Sequence, residues 1–96
     1  MHILINNNGG LSLEDLDNLK SFSIIDKTEN SNLTNLLMIS QPAEDNHYWI
    51  DADAVIALSS KAEDPKWVEN FWSMLSRVEK YGYSDMENKR VKAHIE

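Results

Sequence analysis

The sequence contains no cysteine and no long apolar run. Without cysteine the chain can form no disulfide, no thiolate nucleophile and no cysteine-based zinc or iron–sulfur site. A membrane-spanning helix needs about 18 or more consecutive apolar residues, and no such run occurs. Only five residues precede the first asparagine, Asn6, too few for the apolar part of a secretory signal. We therefore expect a cytoplasmic protein with no membrane partner.

Basic residues are also scarce, since nine lysines and arginines stand against sixteen acidic residues and the net charge is −7. The imbalance lies in residues 1–63, which hold three bases and ten acids, whereas residues 64–96 hold six of each. A field of this sign repels phosphate backbones and anionic lipids, so we expect no nucleic-acid partner. The same acidity is consistent with one functional hypothesis, an acidic mimic that blocks a basic protein through Glu14, Asp15 and Asp17.

The composition, with 42% hydrophobic and 26% charged residues, is that of one ordinary folded domain over residues 1–96. Alternating or β-branched apolar runs predict strands, and apolar residues at helical spacing predict helices. Together they indicate an α+β domain in which two to three helices pack on one face of a mixed or antiparallel sheet of four to five strands. The predicted order is β-α-β-β-β-α-α-β, with strands over 2–6, 22–28, 33–40, 47–50 and 90–96, the second and third forming a hairpin, and with helices over 13–20, 52–58 and 65–81.

The helix over 52–58 carries a clear start signal. Asp51 is a favourable N-cap residue, and Ile50 and Val55 occupy the two positions of a hydrophobic staple. Asp53 falls in the first turn, where the helix dipole favours a carboxylate. Both aspartates therefore have a predicted structural role.

The helix over 65–81 has the strongest signature in the chain, with Asp64 as N-cap, Pro65 at the first position and Gly82 as the stop. Its apolar arc is too wide for a single packing contact, which favours a second contact with another helix or another subunit. The residues predicted to form such an interface are Trp72, Met74 and Tyr81.

Residues 84–96 admit two interpretations. Val91, Ala93 and Ile95 alternate with polar residues, which favours a final strand entered through a turn near 87–89. A helix over 84–93 is the alternative, because the sequence from Ser84 also suits a capping box.

The three histidines, His2, His47 and His94, are the only side chains that ordinarily titrate near neutrality. If the final strand runs beside residues 47–50, His94 could approach His47, and Asp51 or Asp53 could orient one imidazole, as a general base or a metal site requires. Scattered histidines on strands are more often structural. The sequence therefore predicts no cofactor, no metal site and no catalytic residue; His47, His94 and Asp53 are the candidates that remain.

Besides the acidic mimic, two functions are consistent with these patterns. Because no catalytic motif occurs, we expect a small acidic, non-enzymatic protein-interaction module that binds a partner protein or a second copy of itself. The alternative is a small-molecule-binding protein or small enzyme with a histidine and aromatic pocket. The residues predicted to line that pocket are Tyr48, Trp49 and Trp67.

Overall fold

The computed structural model describes all 96 residues and contains seven strands and three helices. The predicted α+β class is confirmed, but the sheet has more strands than the four to five expected. The additional strands are β2, with four residues, and β6, with two. The strands are β1 His2–Ile5, β2 Leu11–Glu14, β3 Ser23–Asp26, β4 Ser40–Pro42, β5 His47–Asp51, β6 Ser84–Asp85 and β7 Arg90–Ile95, and the helices are α1 Thr34–Leu37, α2 Ala52–Leu58 and α3 Pro65–Val78.

The sheet is mixed, with strand order β2-β1-β3-β7-β5-β4. The pairs β1–β3 and β3–β7 are parallel, whereas β1–β2, β4–β5, β5–β7 and β6–β7 are antiparallel. Strand β7 is the central element, since it pairs with β3, β5 and β6. The final strand predicted from residues 90–96 is confirmed, and the alternative helix over 84–93 is wrong.

The hydrophobic core lies on one face of the sheet, against α2 and α3. Alternate strand residues point into it, and Ile3, Ile24, Ile50 and Val91 are almost completely buried. The helices contribute the other buried side chains of the core cluster, among them Val55, Trp67, Phe71, Met74 and Leu75. None of the helices is long and apolar enough to cross a membrane.

The predicted helix starts are confirmed in their side-chain contacts. The Asp51 carboxylate accepts a hydrogen bond from the Ala54 amide at 3.0 Å, and Ile50 and Val55 are both fully buried beside it. At the start of α3, the Asp64 carboxylate accepts hydrogen bonds from the amides of Lys66 at 3.1 Å and Trp67 at 3.3 Å. Each aspartate thereby satisfies amides that have no partner inside the helix.

The end of α3 also follows the prediction. A short 3₁₀ turn, Glu79–Tyr81, continues the helix, and Gly82 then adopts a left-handed backbone with φ of 85°. Glycine occupies this conformation without the steric cost that a side chain would bring. The chain can therefore turn back at this point into β6.

The helix predicted over 13–20 is wrong, because the chain forms β2 at Leu11–Glu14 instead. The strand pairs with β1, and Leu13 lies opposite Ile3 with its side chain in the core. Asp15 then takes a φ of 58°, which no helix residue can have. The pairing with β1 therefore outweighs the local spacing of leucines that suggested a helix.

The strand predicted over 33–40 is wrong for most of its length, and so is its hairpin with 22–28. Residues Thr34–Leu37 form a short helix that buries Leu36 alone, and only Ser40–Pro42 belongs to the sheet. Strand β3 pairs in parallel with β1 and β7. A run that is apolar on both sides suits a central strand, but here it supplies one core residue and an exposed pair, Leu37 and Met38.

The capping role of Asp51 gives a quantitative prediction. Replacing Asp51 by alanine should lower the free energy of unfolding by about 1 kcal/mol, because the Ala54 amide loses its partner. Asp51→Asn should retain most of that stability, since asparagine also caps. Urea unfolding monitored by tryptophan fluorescence measures the difference; an Asp51→Asn variant as unstable as Asp51→Ala would contradict the capping role.

Candidate functional site on the open face of the sheet

We define the open face as the side of the sheet opposite the core. Because side chains alternate along a strand, the neighbours of the buried residues point to this side. Its apolar members, Leu4, Ile25 and Trp49, are only partly buried and lie outside the core cluster. The polar residues of the open face on the strands are His2, Ser12, Glu14, Ser23, Gln41, His47, Asp51, Asp85, Arg90, Lys92 and His94.

All three histidines lie in one row across the open face. The strand register places His2 beside Ser23, Ser23 beside His94, and His94 opposite His47. The rings of His47 and His94 are in contact, with centroids 5.2 Å apart and planes at 60°. His2 stands at the far end of the row, where its Nε2 lies 3.2 Å from a carboxylate oxygen of Glu14.

His47 is held in one orientation by the turn that precedes β5. Its Nδ1 lies 3.2 Å from the carbonyl oxygen of Glu44 and 3.0 Å from that of Asp45. Carbonyl oxygens only accept hydrogen bonds, so Nδ1 carries the proton in the neutral ring and Nε2 keeps a free lone pair.

The two aspartates that could have oriented an imidazole lie elsewhere. Asp51 is at the other end of β5, opposite Arg90, and its carboxylate caps α2. Asp53 is exposed in the first turn of α2. No group of three or more histidine, aspartate or glutamate side chains is close enough to surround a metal ion.

Trp49 lies between two cations on the open face. The guanidinium carbon of Arg90 is 4.5 Å from the ring centroid, and the Lys92 ammonium is 5.4 Å from it. Both distances suit cation–π attraction. The Trp49 ring is therefore held beside both side chains on the open face.

Both cations also have carboxylate partners. Lys92 donates a hydrogen bond to Glu44, which holds the pKa of that carboxyl below its ordinary value. Arg90 donates from Nε to Asp85 at 3.1 Å. Hydrogen bonds from Asn88 lower the pKa of the Asp85 carboxyl, and Arg90 adds to the effect. The charges beside Trp49 are therefore paired locally.

A groove of about 630 Å³ opens beside Trp49. Its rim is formed by Leu37 and Met38, whose exposed fractions of 47% and 78% are unusual for apolar side chains of this size. The remaining lining residues are Ile39, Ser40, Gln41, Trp49, Asp51, Asn88 and Arg90. A smaller apolar crevice of about 300 Å³ lies between α3 and the segment 19–22.

The residues predicted to line one pocket are found in three different surroundings. Tyr48 lies opposite Ala93 on the core side of the sheet, whereas Trp49 is on the open face. Trp67 is buried in the core, where its indole nitrogen donates to the carbonyl oxygen of Leu16 at 2.8 Å. Of the three, Trp49 alone lines the groove.

The residues predicted to form an interface are also separated. Met74 is only 5% exposed and belongs to the core, and Trp72 packs edge-on against Phe71 at 5.9 Å. Tyr81, by contrast, is 67% exposed on the 3₁₀ turn after α3. The wide apolar arc of α3 is thus largely used within the chain itself.

Sequence reasoning missed Leu37, Met38 and Arg90 as members of the site. The first two were assigned to a strand, and no local signal marks them as exposed. Arg90 carried a usable signal, because it alternates with Val91 in the predicted final strand and so belongs to the face opposite the core.

A scan against protein-family models, a search of curated proteins and a search of solved structures find no match for this chain. The chemical abilities of the open face follow from its side chains. It offers two imidazoles in contact, an aromatic ring fixed between cations and a groove with an apolar rim. Side chains of these kinds can contact a ligand through apolar surface and hydrogen bonds.

Proposed function

We propose that this chain is a non-enzymatic protein-interaction module that binds a partner protein through the groove beside Trp49. The observation that carries the proposal is the groove itself, where exposed Leu37 and Met38 form the rim beside Trp49 and Arg90. An apolar side chain of the partner would enter between Met38 and Trp49. The open face around the groove would provide the surrounding polar contacts.

The composition of the groove supports a protein as its ligand. Tryptophan, arginine and methionine are the residue types enriched at protein interfaces, and tryptophan and arginine are frequent binding hot spots. Met38 is flexible and polarizable, which suits contact with an apolar partner surface. The net charge of −7 disfavours nucleic acids and anionic lipids.

The partner proposed is a different protein and not a second copy. Self-association was suggested by the apolar arc of α3, and Met74 and Trp72 of that arc already pack within the chain. We expect light scattering to give the mass of one chain at tens of micromolar. A stable dimer would replace the proposed partner by a second copy.

The proposal is tested by capturing partners from the native host with three forms of the chain. Leu37→Asp with Met38→Asp places two charges on the groove rim, and both positions are exposed enough to leave the fold intact. Tyr81→Asp with Tyr83→Asp is the matched control, because Tyr81 and Tyr83 are the other two large apolar side chains that are exposed on the surface. Thermal unfolding verifies that all three forms are folded.

We expect one partner to be recovered equally by the wild type and the tyrosine variant, and to bind the groove variant about thirtyfold more weakly. Such a factor corresponds to the loss of a hot-spot contact of about 2 kcal/mol. Affinities are measured with the purified partner by calorimetry. Equal binding by all three forms, or loss only in the tyrosine variant, would contradict the proposal.

A further inference from the structure

We propose that His47 and His94 together bind a divalent transition-metal ion, of the class that includes Zn²⁺ and Cu²⁺. The two residues come from strands that are distant in sequence, and the antiparallel register of β5 and β7 places them directly opposite each other. Imidazole nitrogen is a favourable ligand for these ions. This inference is independent of the proposed protein partner.

The spacing of the rings fits a shared ion. A zinc-bound imidazole nitrogen lies about 2.0–2.1 Å from the metal, so two imidazoles at a tetrahedral angle have ring centroids about 5 Å apart. The rings of His47 and His94 have centroids 5.2 Å apart. His47 can therefore keep its hydrogen-bonded orientation while the His94 side chain rotates to direct its nitrogen at the same ion, without movement of the strands.

The hydrogen bonds of His47 provide a second, separate argument. Metal-binding histidines almost always donate the other ring N–H to a carbonyl or carboxylate, which fixes the tautomer and the ring orientation. The carbonyl oxygens of Glu44 and Asp45 stand in that position at His47 Nδ1. The lone pair of Nε2 is consequently free to bind a metal.

The pair is also accessible to an ion. His94 is exposed and His47 is partly exposed. The nearest cation on the same face of β7, Lys92, is paired with Glu44, and the chain as a whole is negative, which favours approach of a cation. Two imidazoles leave the remaining coordination positions to water or to a side chain of a bound protein.

The experiment uses the chain without a polyhistidine tag, at a pH above neutrality. Zn²⁺ is added while the imidazole resonances are followed by NMR, and the affinity is measured by calorimetry. The variants are His47→Ala, His94→Ala and His2→Ala. The last is the matched control, because His2 lies in the same row but is separated from His94 by Ser23. Mg²⁺ serves as the control ion, since it prefers oxygen ligands.

We expect one Zn²⁺ per chain, with the resonances of His47 and His94 affected together. Loss of a residue that only hydrogen-bonds a metal ligand costs about 10–100-fold in affinity, so His47→Ala and His94→Ala, which remove a ligand, should each weaken binding by at least about tenfold. His2→Ala should bind as the wild type does, and Mg²⁺ should leave the imidazoles unchanged. No binding at millimolar Zn²⁺, equal weakening by His2→Ala, or binding that survives the loss of both His47 and His94 would overturn the proposal.

Discussion

Replacing Phe71 by alanine is expected to lower the free energy of unfolding by about 3–5 kcal/mol. Phe71 is completely buried at the centre of α3, stacked on Trp67 with centroids 5.4 Å apart and in edge contact with Trp72. The substitution removes both aromatic contacts and leaves a cavity that the sheet and the helix cannot close. A small domain has only about 5–15 kcal/mol of stability, so much of the fold's stability would be lost.

Urea unfolding, followed by the fluorescence of the tryptophans, measures this effect. Tyr81→Ala is the control, because Tyr81 is 67% exposed on the turn that follows the same helix. Surface substitutions of this kind usually change stability by no more than about 0.5 kcal/mol. Unfolding of the two variants at similar urea concentrations would contradict the burial of Phe71 in the core.

The second large effect is expected at Leu36, where replacement by alanine should cost about 2–5 kcal/mol. Leu36 is fully buried and is the only core residue of α1. Its neighbour Leu37 is 47% exposed, so Leu37→Ala should change stability by about 0.5 kcal/mol or less. The two variants differ only in which leucine of the same short helix is truncated.

This pair of variants also tests the conformation of residues 34–38. A central strand covered on both faces would bury both leucines, and the two truncations would then have similar costs. In the helical conformation only Leu36 anchors the segment, and Leu37 and Met38 remain exposed at the groove. Similar losses of stability for Leu36→Ala and Leu37→Ala would therefore contradict the exposed position of Leu37, and with it the rim of the proposed binding site.

The helices that could be predicted from the sequence were those with capping signals. Asp64, Pro65 and Gly82 identify α3, because a cap, a fixed φ and a left-handed stop act within a few residues. Asp51 identifies the start of α2 in the same way.

Residues 13–20 and most of 33–40 were assigned incorrectly, since their conformations depend on partners far away in sequence. Leu13 is held by Ile3, and Leu36 by the assembled core. Local spacing contains no information about those partners.

The open face shows the same difference between local and long-range information. From the sequence, a contact between His47 and His94 could be predicted only on the condition that the final strand lies beside residues 47–50. The register of β5 and β7 meets that condition. The groove was not predictable, because it requires both the exposed helix end at Leu37 and Met38 and the antiparallel pairing that brings Arg90 beside Trp49. Alternation along each strand is reliable; the choice of neighbouring strands is a long-range property.

We propose that the open face of the sheet, and not the helical side, is the surface that binds the partner. Amide NMR spectra of the labelled chain, recorded with and without the purified partner, test it without any substitution. We predict that the resonances that change belong to residues 37–41, β5 and the first half of β7. Changes confined to the exposed side of α3, at residues such as Glu69, Asn70 and Ser73, with no response around Trp49, would contradict the claim.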